Sequence, residues 1–162
     1  MEKPRVLIVM GSRSDMPAME GCMAMLDDLN VGYEVRVLSA HRTPEAVLEL
    51  SRTAKDRGIQ VIIAAAGGAA HLAGVLASST PLPVIGIPIQ TSALGGMDSL
   101  LSTVQMPAGV PVATVAIGKA GAKNAALLAC QMIGLADAQV QQAVADFKKA
   151  QAEKVLADSV VQ

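Results

Sequence analysis

Residues 34–45, Glu34-Val35-Arg36-Val37-Leu38-Ser39-Ala40-His41-Arg42-Thr43-Pro44-Glu45, pass from an alternating apolar run through a short polar cluster into a helical pattern. The run Glu34 to Leu38 reads as a strand. Thr43 is placed as a helix N-cap, Pro44 as the first helical residue, and Glu45 sits against the positive helix end. The helix is expected to run from Thr43 to Arg57 and to stop at Gly58. An imidazole, which exchanges protons near neutral pH, and a guanidinium, which grips phosphate or carboxylate with paired donors, therefore stand where a strand ends and a helix begins. In open α/β sheets that edge is where ligands bind.

Outward from this junction the same alternation repeats. Arg5 to Met10 is a continuous apolar run, the pattern of a strand buried on both faces. It ends in the polar turn Gly11-Ser12-Arg13-Ser14-Asp15, and Met16 to Leu29 follows as a helix with Met19, Met23, Leu26 and Leu29 along one side. Val61 to Ala65 forms a third strand running into Gly67-Gly68-Ala69-Ala70-His71, small enough for a ligand to touch backbone, and Leu72 to Ser79 a short helix. Val84 to Ile87 is the fourth strand. Ile89 to Gly96, with Gln90-Thr91-Ser92 and Gly95-Gly96, is an irregular loop of the kind that covers pockets. Then come a helix over Asp98 to Val104, a fifth strand over Pro111 to Val115, and an Ala-rich helix over Lys119 to Ile133 with Leu127, Leu128 and Met132 on its apolar side. Asp137 caps a last helix marked by Val140, Val144, Phe147, Gln151 and Val155.

Five strands alternating with helices imply a parallel sheet with right-handed crossovers and helices on both faces. The expected fold is a flavodoxin-like three-layer αβα sandwich, strand order 2-1-3-4-5, in one domain over 1–162. The core spans about 5–134 and an extra C-terminal helix spans about 137–157. No strand follows that helix, so its apolar side must cover its own domain or a neighbouring subunit.

A hydrophobic fraction of 52% is rich for 162 residues and suggests burial between subunits, hence a homo-oligomer. The net charge of −1 gives no footprint for nucleic acid or an anionic membrane, and with Tyr33 and Phe147 as the sole aromatics, base stacking is excluded. Cys22 and Cys130 both fall in apolar helical patterns and read as buried free thiols of a reducing compartment. The start, Met1-Glu2-Lys3-Pro4-Arg5, resembles neither a signal peptide nor a membrane span, so a cytoplasmic protein is expected.

In the 2-1-3 order the segments after strands one, two and three are neighbours. The implied pocket gathers Ser12, Ser14, Asp15, Ser39, Ala40, His41, Arg42, Gly67, His71 and Leu72. Its hydroxyls, helix-start N–H groups and Arg42 suit an anion, and Asp15 suits ribose hydroxyls, so a phosphorylated sugar fits. Gly11 to Asp15 lacks the G-x-G-x-x-G pattern and Gly118-Lys119-Ala120 lacks a full phosphate loop, which disfavours nicotinamide and nucleoside-triphosphate chemistry. Taken alone, His41 reads equally as a proton-transfer group or as a helix-start histidine bonded to backbone. Asp15 reads as ligand or as N-cap, Arg42 as clamp or as solvated charge, and His71 as pocket residue or structural contact.

The runs Val9 to Asp15, Ser39 to Pro44, Gly67 to Leu72, Asp98-Ser99-Leu100 with Gln105-Met106-Pro107, and Ala116 to Gly121 together resemble the N5-carboxyaminoimidazole ribonucleotide mutase family of purine biosynthesis, in matching order from about Arg5 to Leu156. The resemblance implies an octamer whose last helix reaches a neighbour, and a mutase using neither metal nor cofactor nor ATP. It implies that Ser12, Asp15 and Arg42 bind the ribose phosphate with Ser14 and Ser39. His41 would transfer the proton, and Gly67 and His71 would line the site near base and carboxylate. Arginine after the central histidine marks the mutases, lysine the carboxylases that use carbon dioxide directly. Ala65 and Ala73 depart from the glycine and proline frequent in the family.

Overall fold

Five parallel strands in the order β2-β1-β3-β4-β5 form the centre of the computed structural model, which describes residues 3–160. Met1 and Glu2, part of the expected direct entry into the first strand, lie outside the described residues. The strands are β1 (Val6–Met10), β2 (Tyr33–Val37), β3 (Val61–Gly67), β4 (Val84–Ile89) and β5 (Ala113–Thr114). The helices are α1 (Met16–Asp28), α2 (Pro44–Thr53), α3 (Leu72–Ala77), α4 (Met97–Val104), α5 (Lys119–Gly134) and α6 (Ala138–Ala157). The flavodoxin-like order expected from the alternation is the order observed. No helix among the described residues is long and apolar enough to cross a membrane.

Every residue of β1 is buried because helices cover both of its faces. Period-two alternation divides the core in two. Val6, Ile8, Met10, Ile63 and Ala65 face α1 and α5, while Leu7, Val9, Ile62 and Ala64 face α2 and α3. The stripe that α5 buries is Ala122, Ala125, Ala126, Ala129, Cys130 and Ile133, not the Leu127, Leu128 and Met132 expected from the sequence, which are partly buried at its margins. Helices α1 and α5 pack closely over one sheet face, and small residues on α5 admit Met19, Met25 and Leu26 of α1. At the start of α5 a Cβ on Gly121 would overlap the Ala116 carbonyl, so only glycine lets the chain turn there.

Several boundaries differ from the sequence reading: β5 keeps only Ala113–Thr114 of the expected Pro111 to Val115, β2 begins and ends one residue earlier, and α3 stops at Ala77 instead of Ser79. Helix α2 ends at Thr53, four residues early, because 54–57 tighten into three-residue turns, with Ala54 N–H donating to Ser51 O and Arg57 N–H to Ala54 O, before Gly58 turns at φ +93°. Strands β3 and β4 each run two residues further, to Gly67 and Ile89, in register with one another. They stand past Met10 of β1 and Val37 of β2 and make a wall above the floor of the cleft. In α6, Val140 and Val144 are buried and Phe147 packs on the core, but Gln151 and Val155 are exposed.

Helix α4 is inverted. Its buried side is Ser99 and Thr103, and its exposed side is Met97, Leu101 and Val104, with Leu94 before it.

Candidate active site

The C-terminal ends of β1, β2, β3 and β4 open onto one cavity of about 310 Å³. It lies where the chain reverses its direction of winding between β1 and β3, the expected crevice of such a sheet. Its wall contains Ser12, Ser14, Asp15, Ser39, Ala40, His41, Arg42, Gly67 and Leu72, nine of the ten residues expected from the sequence.

Ser12 opens the first loop. The expected polar turn is a single tight 3-10 turn over Arg13–Asp15, closed as a capping box: Ser14 N–H donates to Ser12 Oγ at 3.3 Å and Ser12 N–H to Asp15 Oδ2 at 3.2 Å. Ser14 Oγ lies 2.8 Å from Ser12 Oγ. Asp15 is buried, and burial pushes its carboxyl above the ordinary value of 3.8 against the lowering effect of the bonds from Ser12 and Ser14. It lines the cavity and accepts from Ser12 N–H, and although it stands at the N-cap position of α1 its side chain makes no capping bond to that helix.

The second loop is held by Thr43, which stands at the N-cap position of α2 but turns its hydroxyl back to the loop. Its hydroxyl makes no bond into α2; it accepts from Ser39 N–H at 3.0 Å and lies 3.0 Å from Ser39 O, while Thr43 N–H donates to Ser39 O at 2.8 Å. The turn so closed presents His41 and Arg42. Arg42 Nε donates to Ser39 Oγ at 3.2 Å and Nη2 reaches the Gly11 carbonyl at 3.5 Å, so the guanidinium leans across the cleft from the second loop toward the first.

His71 is the exception among the expected lining residues. It stands behind His41 instead of on the cavity wall: Nδ1 of His71 is 2.9 Å from Nε2 of His41, and the rings meet edge to face at 86° with centroids 4.9 Å apart. One shared proton joins the pair, its position set by the tautomers. Each ring thereby orients the other, which neither histidine's place in the sequence reveals.

Six further residues line the cavity: Gly11, Ala66, Ala69, Ile89, Gln90 and Thr91. The last two lie in the loop the sequence marks as a pocket cover. Ile89 opens that same loop, and Ala66 joins the wall because β3 runs past Ala65 into the pocket. Thr91 donates to Asp98 Oδ1 at 2.8 Å and accepts from Gly96 N–H at 3.2 Å, which folds this loop onto α4. Ala65 faces the opposite core and Ala73 is buried in α3, so neither departure from the frequent family residues enters the cavity.

A cavity combining a cation, several hydroxyls, a carboxylate and a paired imidazole can bind a small phosphorylated sugar and move a proton on its aglycone. The profile of the AIR carboxylase family matches residues 5–154. The chain is 57% identical over 152 residues to the N5-carboxyaminoimidazole ribonucleotide mutase of Aliivibrio fischeri, covering 94% of each chain. It is 54% identical over 157 residues to the protein of that name in Bacillus subtilis, covering 97% of each. The crystal structure of Treponema denticola PurE superposes with a TM-score of 0.86 at 30% identity over 96% of both chains.

Proposed function

The chain belongs to the AIR carboxylase family, and from that premise we propose that it works as an N5-carboxyaminoimidazole ribonucleotide mutase, moving the carboxylate of its substrate from the exocyclic nitrogen to carbon four of the imidazole. The observation that carries this reading is the cavity that brings Arg42, Asp15 and His41 together, with His41 braced by His71 at 2.9 Å.

Arg42 takes the phosphate, supported by Ser12, Ser14 and Ser39, and Asp15 accepts from the ribose hydroxyls. The heterocycle then lies toward Ala40, Gly67 and Leu72. In that apolar end the carbamate loses hydration, and its nitrogen–carbon bond breaks to leave carbon dioxide and an electron pair on nitrogen. Nitrogen takes a proton from His41. Carbon four attacks the retained carbon dioxide, and the walls make this a local step rather than a bimolecular one. The ring carbon then returns its proton to His41, so one carboxylate moves from nitrogen to carbon and one proton moves the other way. No external acid, base or oxidant is consumed.

Assembly is part of the same proposal. A homo-octamer would cover two apolar surfaces that a single chain leaves to solvent: the outer side of α4 and the end of α6, where Val155 and Leu156 are 66% and 70% exposed. In this reading the end of α6 packs on a neighbouring subunit, and the enzyme acts in the cytoplasm.

Incubation of the purified protein with N5-carboxyaminoimidazole ribonucleotide, without added bicarbonate, is expected to give the carbon-linked isomer. Product formed solely from aminoimidazole ribonucleotide and bicarbonate would favour the direct carboxylase, the alternative that the family's description raises.

A further inference from the structure

Asp98-Ser99-Leu100 belongs to the motifs that carry the family resemblance, yet none of these residues lines the cavity. Ser99 is fully buried, and its hydroxyl bridges two site elements: it accepts from Gly68 N–H at 2.9 Å and donates to the Ile89 carbonyl at 2.6 Å. One turn on, Ser102 Oγ accepts from Ala70 N–H at 3.0 Å, with the carbonyls of Asp98 and Gly68 at 2.6 and 3.0 Å for its single proton. Thr103 lies 3.4 Å from the Ala70 carbonyl through its hydroxyl.

The segment Gly68 to Ala70 belongs to neither β3 nor α3, so regular structure supplies no partners for its backbone. Tight turns within it pair Ala70 N–H with the Gly68 carbonyl at 2.8 Å and His71 N–H with the Ala69 carbonyl at 2.9 Å, and the hydroxyls of α4 tie it to the rest of the fold through Gly68 N–H and Ala70 N–H. This segment ends on His71, whose ring meets His41. We propose that Ser99 and Ser102 are positioning residues for the proton-transfer step: they fix the Gly68–Ala70 backbone and so hold His71 against His41. Such a role also accounts for the inversion of α4, which lies against β4 and turns hydroxyls inward where the site loop passes over it. The inference rests on the reading that His41 moves the proton.

The test is a set of double-mutant cycles on the full-length enzyme, combining Ser102→Ala and Ser99→Ala with His71→Asn, each with kcat, KM and a pH profile. Ser102→Ala is expected to lower kcat about tenfold to a hundredfold with little change in KM, since small displacements of a proton-transfer group act on the chemical step. It should shift the pH profile as His71→Asn does, and Ser102→Thr, which keeps the hydroxyl, should restore both. The double variants should be no slower than His71→Asn alone. Wild-type kcat and pH profile in both serine variants, multiplicative losses in the double variants, or a fully active His71→Asn would each overturn the inference. If Ser99→Ala does not fold, the half-buried Ser102 carries the test by itself. The reading of His41 stands or falls separately, on whether His41→Asn is inactive.

Discussion

Helices α4 and α5 both lie against the β4 side of the sheet, yet they bury opposite kinds of side chain. The inward stripe of α5 is alanine, cysteine and isoleucine, and it fills the larger half of the core against α1. The inward stripe of α4 is Ser99 and Thr103: the Ser99 hydroxyl satisfies backbone groups of loops at the site, while Thr103 donates to the Ser99 carbonyl of its own helix at 2.7 Å. A buried hydrogen bond contributes only about 1 kcal/mol net, but an abandoned buried N–H costs about 1–3 kcal/mol, so the hydroxyls of α4 specify a loop shape more than they add stability. The apolar burial of α5 does the reverse. The difference teaches that one helix sustains the fold and the other sets the geometry of the site.

Perturbations on the two sides should therefore separate activity from stability, and the largest separation is expected at the site. His41→Asn should lower kcat by about two to four orders of magnitude, the usual contribution of a general acid–base group, while substrate binding and thermal melting stay close to wild type. A substantially active variant would remove His41 from the mechanism. Arg42→Ala should raise KM roughly tenfold to a hundredfold through loss of a charge-assisted contact to phosphate, with a smaller change in kcat; unchanged steady-state constants would show that the guanidinium is only a strut between the first two loops.

On the α5 side the pattern should reverse. Ala126→Leu, at a fully buried position, should destabilise by about 1–3 kcal/mol through overpacking, read as a lower denaturation midpoint, with kcat of the folded protein unchanged. A loss of kcat without a loss of stability would erase the contrast between the helices.

Asp15 is expected to give a smaller and oppositely signed effect. Burial raises its carboxyl above 3.8, so the neutral form suits the fold better. The stability linked to this group is full below about pH 3.8 and is lost as pH rises through the raised value. Near neutrality the carboxylate is kept at the expense of the fold. Asp15→Asn should melt at or above the wild-type temperature at pH 7, the gap closing on acidification, while KM rises. A variant less stable than wild type at pH 7 would show that the capping bond from Ser12 outweighs desolvation.

The smallest perturbation is chemical. Burial pushes the Cys22 thiol up to about 12 and Cys130 up to about 11, so iodoacetamide at pH 8 should label neither in the native protein and both in denaturant. Rapid native labelling of Cys130 would show that α5 opens locally and is not the rigid partner in this comparison.

The strand runs, the strand order and nine residues of the cavity wall were legible in the chain because they follow from short-range rules: apolar periodicity, polar junctions after strands, and the right-handed crossover that brings successive junctions to one edge. The same rules placed Thr43 at the N-cap of α2, where it stands, but not the bonding of its hydroxyl, which goes to the backbone of Ser39 instead of into the helix. They overestimated Leu127, Leu128 and Met132 because periodicity finds a helix face but not how closely a second helix approaches it.

What the amino-acid sequence determined by itself was the layered architecture, the sheet edge at which the cavity opens, and the presence there of an imidazole beside a guanidinium. Tertiary structure alone decided that His71 faces His41 rather than the cavity, which residues of the Ile89 to Gly96 loop line the pocket, and that α4 turns its hydroxyls inward. Those contacts join residues about thirty apart whose partners no local pattern encodes: a hydroxyl or an imidazole suits solvent, a cap or a distant backbone group alike, and only the packed chain selects among them.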